Sequence, residues 1–310
     1  MSSPADDDVY RGWRRPGPRP PGGLAPEEGE TLDSLCGHWR IFQLHRGHRY
    51  SSDDVLCAWY GSSHAPRVER ACDLGSGIGS VALTVAWRLP GARFVTLEAQ
   101  EMSLRLAKKS VRFNGVEDRF TVLHGDLRDP DALARVAHAG GPFDLVTGTP
   151  PYWPVGAALP AHHPQAVPAR LEVRGDILDY ARAAARLLGP GGVFATVFPA
   201  AQDERVRRSL VEAGLVLVRT RAVQFKEGVP AAQAGLCLYL SGKRADLPAS
   251  FPLVAGVVEG KPLVEPPLVI RRPDGTTHPA YAAVRLSFGF PPGDMPADGA
   301  LAVGASAPGD

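Results

Sequence analysis

Between Arg67 and Gly242, short apolar runs alternate with longer runs of helical periodicity, and no other feature constrains the fold as much. RVERACDLG reads as a strand entering a glycine turn, and SVALTVAWRL as a helix closed near Pro90 and Gly91. ARFVTLEA is a strand, and EMSLRLAKKSVRFNG a helix with Leu104, Ala107 and Val111 on its apolar side and a stop at Gly115. RFTVLHGD, a helix over 131–138, and FDLVTGTPPY continue the order. GDILDYARAAARLLGPGG is a helix closed by Gly189 and Pro190, VFATVF its strand, DERVRRSLVEAG a helix, and LVLVRTRAV and AGLCLYLSG two strands. This order predicts an α/β fold: a Rossmann-like, doubly wound, mostly parallel seven-stranded sheet with helices on both faces. No clear helix separates the last two strands, so one antiparallel strand is expected there.

The flanks differ in composition. Residues 1–30 are rich in Pro, Gly, Asp and Arg and offer few periodic apolar positions, so they read as a disordered tail; 291–310 reads the same way. Residues 31–61 are expected to form an N-terminal extension or lid, 62–243 the main domain, and 244–290 a C-terminal extension. The net charge of +1 gives no global field that would select a polyanion. No apolar run reaches the length of a membrane span and the N-terminus has no signal-peptide pattern, so a cytoplasmic protein without membrane contact is expected. Cys36, Cys57, Cys72 and Cys237 lie too far apart for a zinc site and read as buried thiols; no metal is expected.

In DLGSGIGS the glycines Gly75, Gly77 and Gly79 lie between the first strand and its helix, with Asp73 two residues ahead. Glycines there let backbone approach a ligand, and the helix N-terminus offers free N–H groups. Glu98 ends the second strand, where a carboxylate can hold two ribose hydroxyls, and Gly125-Asp126 ends the third, where a carboxylate can meet an adenine amino group. A dinucleotide fingerprint spaces its last two glycines three apart to seat a pyrophosphate. The GxGxG spacing with an acid before it suits a cationic ligand without phosphate, and S-adenosylmethionine is the expected cofactor.

At the fourth strand end stands Thr149-Pro150-Pro151-Tyr152. With DLGSGIG, the acid on the second strand and GD on the third, this corner resembles the class I amino-group methyltransferases, which carry PPY after Asn, Ser, Asp or Thr. The resemblance implies that the segment lines the acceptor pocket. A conjugated NH2 is a poor nucleophile, and acceptors that take both its hydrogens favour a pyramidal nitrogen with its lone pair aimed at the methyl group. A proline carbonyl and the Thr149 side chain can serve, since the Pro-Pro pair fixes their direction in advance. Tyr152 and Trp153 would stack on a flat substrate.

The lead-in from Thr31 to Gly61, the stretch LEAQEMSLRLAKKSVRFNGVEDRFTVLHGDLRD and PPLVIRRPDGTTHPAY are similar to the bacterial enzymes that methylate adenine N6 in valine tRNA. The resemblance covers Thr31 to Tyr281. It implies that Tyr50, Ser51 and Asp53 lie near the cofactor or its lid, with Asp73, Gly75, Gly77, Glu98, Ala99, Gly125, Asp126 and Thr149 binding the cofactor. It also implies that Arg170 and Glu172 border the acceptor pocket. The tRNA enzymes carry Asn before the prolines where this chain has Thr149, whose hydroxyl accepts at shorter reach, as Ser does in cytosine-N4 methyltransferases.

The expected function is methylation of the N6 amino group of adenine in tRNA. The first alternative is a protein amide or a small amine-bearing metabolite, and the second a cofactor-binding module without catalysis. HWRIFQLHRGHRY reads equally as a phosphate-binding basic cluster or as a hairpin with one solvated face. His162 and His163 read either as proton acceptors or as parts of a proline-rich loop.

Overall fold

Caps and prolines set where the elements of this computed structural model begin and end; it describes residues 8–10, 13–65, 67–157, 163–243 and 261–294. Two short antiparallel pairs come first, β1 (Val9–Tyr10) with β2 (Trp13–Arg14) and β3 (Glu30–Ser34) with β4 (Arg40–Leu44). Helix α1 (Ser52–His64) opens on a capping box in which Asp54 Oδ2 accepts from the Ser51 amide at 2.8 Å. There follow β5 (Arg70–Leu74), α2 (Ser80–Arg88), β6 (Arg93–Glu98), α3 (Glu101–Asn114), β7 (Phe120–His124), α4 (Pro130–Gly140) and β8 (Phe143–Gly148). Gly115, at φ +68°, ends α3 as its position in the sequence predicts. Asp129 caps α4 with Pro130 in its first turn.

The second half holds α5 (Val167–Arg170), α6 (Ile177–Leu187), β9 (Leu188–Pro199), α7 (Asp203–Glu212), β10 (Leu215–Lys226), α8 (Ala231–Ala234), β11 (Gly235–Lys243), β12 (Leu263–Arg271) and α9 (Pro279–Leu286). Asp176 caps α6 by accepting from the Leu178 and Asp179 amides. The GPGG run does not separate α6 from its strand as expected: β9 starts at Leu188 and takes the run into the sheet, with a register shift against β8.

The sheet order is β12-β10-β11-β9-β8-β5-β6-β7. Strand β11 runs antiparallel to both neighbours, and the remaining pairs are parallel. This is the expected doubly wound sheet with its one antiparallel strand, but it has eight strands, not seven. The eighth, β12, comes from the segment expected as an extension. It covers the edge of β10 with Leu268 and Ile270 buried, and Pro266 and Pro267 fall at the register shift between Arg221 and Val223, where missing N–H donors cost no ladder bond.

One face of the sheet is packed by α1, α2, α3 and α9 around Leu56, Leu83, Leu106 and Val284; the other by α4, α6 and α7 around Val136, Ala184 and Leu210. The four cysteines are buried and unbridged. Among the described residues no helix is long and apolar enough to cross a membrane, and no group of three or more His, Cys, Asp or Glu side chains is placed to hold a metal ion.

Two sequence expectations meet the structure differently. Residues 1–7, 11 and 12 of the tail lie outside the described residues, but its later part lies along α3: Lys109 pairs with Glu27 at 3.1 Å and Glu30 at 2.7 Å, and the Gly22 amide donates to Phe113 O at 3.1 Å. The basic stretch 38–50 does enter a hairpin, as β4, yet Ile41, Phe42, Gln43 and Leu44 are all buried. The face expected in solvent is covered by α3, whose Ser110 Oγ and Asn114 Oδ1 accept from the Phe42 and Arg40 amides at 2.9 Å each.

Candidate active site

The chain turns at the C-terminal ends of β5, β6, β7 and β8, and at the β5/β8 boundary it crosses from one half of the sheet to the other, the place where open α/β sheets bind ligands. A cavity there is lined by Tyr50, Gly75, Gly77, Glu98, Ala99, Gly125, Thr149 and Pro151 among the residues singled out from the sequence. A second cavity joins it, lined by Ser51, Asp53, Thr149, Pro150, Tyr152, Trp153 and Arg170. Four residues border both: His48, Asp54, Thr149 and Ala169.

The glycine turn is built around Tyr180, buried on α6. Gly75 has φ +56°, and a Cβ there would lie 2.0 Å from Tyr180 Oη. Gly77 has φ +55° and open space where its Cβ would be. Its amide donates to Glu98 Oε2 at 2.8 Å, and the Gln100 amide to Glu98 Oε1 at 2.7 Å. Burial raises the Glu98 carboxyl above the usual range against the pull of these amides.

Asp73 does not line the cavity. It accepts from Thr147 Oγ1 at 2.7 Å, and its other oxygen is buried without a partner among the described residues. Burial pushes its carboxyl up to about 7. Asp126 also stands off the cavity wall: Arg128 Nε and Nη2 donate to it at 2.9 and 2.6 Å, and that pairing holds its carboxyl below the usual range. Ser51 faces the second cavity and caps α1.

The corner after β8 is held from several sides. Thr196 Oγ1 donates to Gly148 O at 2.8 Å, Gln202 Nε2 to Tyr152 O at 3.0 Å, and Tyr152 Oη to Asp53 Oδ2 at 2.6 Å. The Tyr152 ring meets Phe198 edge-on at 5.1 Å. Burial, then Asp53, drives its phenol well above the ordinary range. No protein group among the described residues engages the Thr149 hydroxyl. Trp153 is 41% exposed at the mouth. Arg170 lines the second cavity, whereas Glu172 turns away to Arg205 at 2.7 Å and lines neither cavity. His162 lies outside the described residues, and His163 caps a short turn by accepting from the Gln165 amide at 3.2 Å.

Sequence reasoning missed Asp54, Tyr180 and, as a site residue, His48. His48 is fixed through its amide to Gln165 Oε1 at 2.8 Å, and Gln165 in turn donates to Ser103 Oγ at 3.0 Å. Burial, with Arg170 adding and Asp53 opposing, lowers the His48 pKa and favours the neutral ring.

Residues 62–163 match the methyltransferase small domain. The chain is 32% identical over 197 residues to a release factor glutamine methyltransferase of Gloeobacter violaceus, covering 58% of this chain and 65% of that relative. It is 26% identical over 241 residues to a tRNA1(Val) (adenine(37)-N6)-methyltransferase of Dyadobacter fermentans, covering 76% of this chain and 87% of the relative. Two further methyltransferase relatives are matched over 40 and 58% of their lengths, so with the Gloeobacter protein the chain spans less than two thirds of these three relatives. A crystal structure of a predicted O-methyltransferase from Agrobacterium tumefaciens shares the fold, with TM-score 0.51 and 18% identity over 77% of this chain and 97% of that one. S-adenosylmethionine is the cofactor of this fold family, and the open cradle at Gly77 beside the Glu98 carboxylate fits it. The resemblance to methyltransferases read from the sequence is borne out: residues 62–163 match the methyltransferase small domain, and glutamine and tRNA adenine-N6 methyltransferases are among the relatives this chain is similar to.

Proposed function

We propose that the protein is an S-adenosylmethionine-dependent N-methyltransferase acting on the N6 amino group of adenine in tRNA. The observation that carries this reading is Thr149: it borders both cavities and opens the rigid corner, with its hydroxyl free of protein partners among the described residues. Gly75, Gly77, Glu98, Ala99 and Gly125 would hold the cofactor, with Tyr50 closing over it. Asp73 would act from behind the wall by fixing β5 to β8, and Asp126 would reach an adenine only by leaving Arg128.

The cofactor supplies an electrophilic methyl group on a sulfonium. Thr149 Oγ1 and the Pro150 carbonyl would accept the two amino hydrogens and turn the nitrogen lone pair toward it. Tyr152 and Trp153 would flank the ring, with Asp53 and Phe198 fixing Tyr152, and Arg170 beside them suits a neighbouring phosphate. A stacked base cannot enter, so the adenine must be presented unstacked. No metal ligand is needed for this chemistry.

The likeness to the Dyadobacter enzyme over 76% of the chain supports the tRNA acceptor. The likeness to the glutamine methyltransferase supports an amide as the second reading. Purified protein incubated with bulk tRNA and labelled cofactor, followed by nucleoside analysis, is expected to give N6-methyladenosine. Unlabelled tRNA in that reaction, with label instead entering the protein of a cell extract supplied in its place, would overturn the tRNA assignment.

A further inference from the structure

With the cofactor in the first cavity and the acceptor in the second, a methyl group in transit would pass between them, and the sulfonium that carries it would lie near the residues that border both. Of these, Asp54 is the one carboxylate among the described residues. It is 8% exposed and held in place as the third residue of α1, with Oδ2 accepting from the Ser51 amide at 2.8 Å. No cation among the described residues pairs with it. Its surroundings are Asp53 and Cys57 on α1, His48 and Tyr50 in the preceding loop, Ser80 at the start of α2, Asp73 on β5 and Tyr152 after β8. That set holds three carboxylates, counting Asp54; of the fixed positive charges among the described residues, Arg170 lines the second cavity and Arg174 the first, where Glu98 also stands.

We propose that Asp54 senses the charge of the cofactor, its carboxylate facing the sulfonium so that the site prefers S-adenosylmethionine to the neutral thioether product S-adenosylhomocysteine. This deepens the methyltransferase reading and rests on it. Burial raises the Asp54 carboxyl to about 7, so the ligand-free site is partly protonated near neutrality. Binding of a sulfonium draws the carboxyl to its charged form and releases the proton to solvent; the thioether does not. After transfer the sulfur is neutral, the carboxylate loses its partner, and the product is held less tightly.

The test compares S-adenosylmethionine and S-adenosylhomocysteine on the full chain by calorimetry, in wild type and Asp54→Asn, at about pH 6 and about pH 8. Asn keeps an oxygen for the Ser51 amide. Wild type is expected to prefer S-adenosylmethionine by at least ~10-fold at the higher pH, less at the lower, and Asp54→Asn to lose most of that preference at both. Equal loss of both ligands would place the carboxylate on a part they share and overturn the proposal. In wild type alone, buffers of different ionisation enthalpy should report proton release near pH 7 with S-adenosylmethionine only, which stands even if the variant fails to fold; equal release with both overturns the proposal. Failure of wild type to bind either ligand would overturn the cofactor reading itself.

Discussion

Tyr152 donates a 2.6 Å hydrogen bond to Asp53 Oδ2 and so ties the Pro-Pro corner to the first turn of α1, across the second cavity. The ring cannot turn freely to stack on a substrate; it is already held, by Asp53 at its tip and Phe198 at its edge. Tyr152→Phe keeps the ring and removes the tie. We expect a stability loss of about 1.5–3 kcal/mol, the worth of a hydrogen bond to a carboxylate. Cofactor affinity should hold while transfer slows. Urea unfolding and calorimetry check the two halves separately.

Gly75 and Gly77 should respond differently to Ala. At Gly75 the new methyl meets Tyr180 Oη and the backbone has positive φ, so the fold around α6 must give. At Gly77 the conformational penalty is similar but the methyl enters empty space. We expect Gly77→Ala to cost about 1 kcal/mol of stability while cutting cofactor affinity, and Gly75→Ala to cost clearly more stability. Thermal melts with and without cofactor distinguish them.

Glu98→Ala leaves the Gly77 and Gln100 amides without their acceptor inside a buried turn. Cofactor binding should be lost, and stability should fall by about 1–3 kcal/mol for each amide that water does not reach. Unchanged affinity by calorimetry would contradict the role proposed for Glu98.

The carboxyls of Asp54 and Asp73 are both raised to about 7, from an ordinary 3.8. In that window the folded, ligand-free protein binds more protons than the unfolded chain, so stability is fullest below about pH 4 for these two groups and declines as pH rises through 7. Asp73→Asn should flatten part of the decline. Chemical unfolding as a function of pH is the measurement, and a rise in their contribution toward pH 8 would contradict the burial argument.

What the sequence made legible were features with local causes. The glycine turn, the acid at Glu98 and the Gly115 stop are recognisable because positive φ or a strand end demands a particular residue type at that point. The eighth strand was not legible, because a run with two prolines reads against a strand until the register shift that absorbs them is seen. The burial of β4 comes from α3, some seventy residues away in sequence. In the site, Asp54, His48 and Tyr180 carry no motif: one is a helix-capping acid, one sits in a basic run, and one lies mid-helix, and only the packing of α1 and α6 over the sheet brings them to Thr149. Asp126 shows the reverse, a motif position whose side chain is taken by Arg128, two residues on.

The central claim is transfer of a methyl group to an amino nitrogen at Thr149-Pro150-Pro151-Tyr152, with tRNA as the acceptor. The most direct test is transfer from labelled S-adenosylmethionine into fractionated extract of cells lacking this protein, with RNase and protease controls. The account predicts label in small RNA, lost to RNase and resistant to protease. Label lost to protease, or left with small solutes, would contradict the tRNA acceptor, and no label in any fraction would contradict the activity.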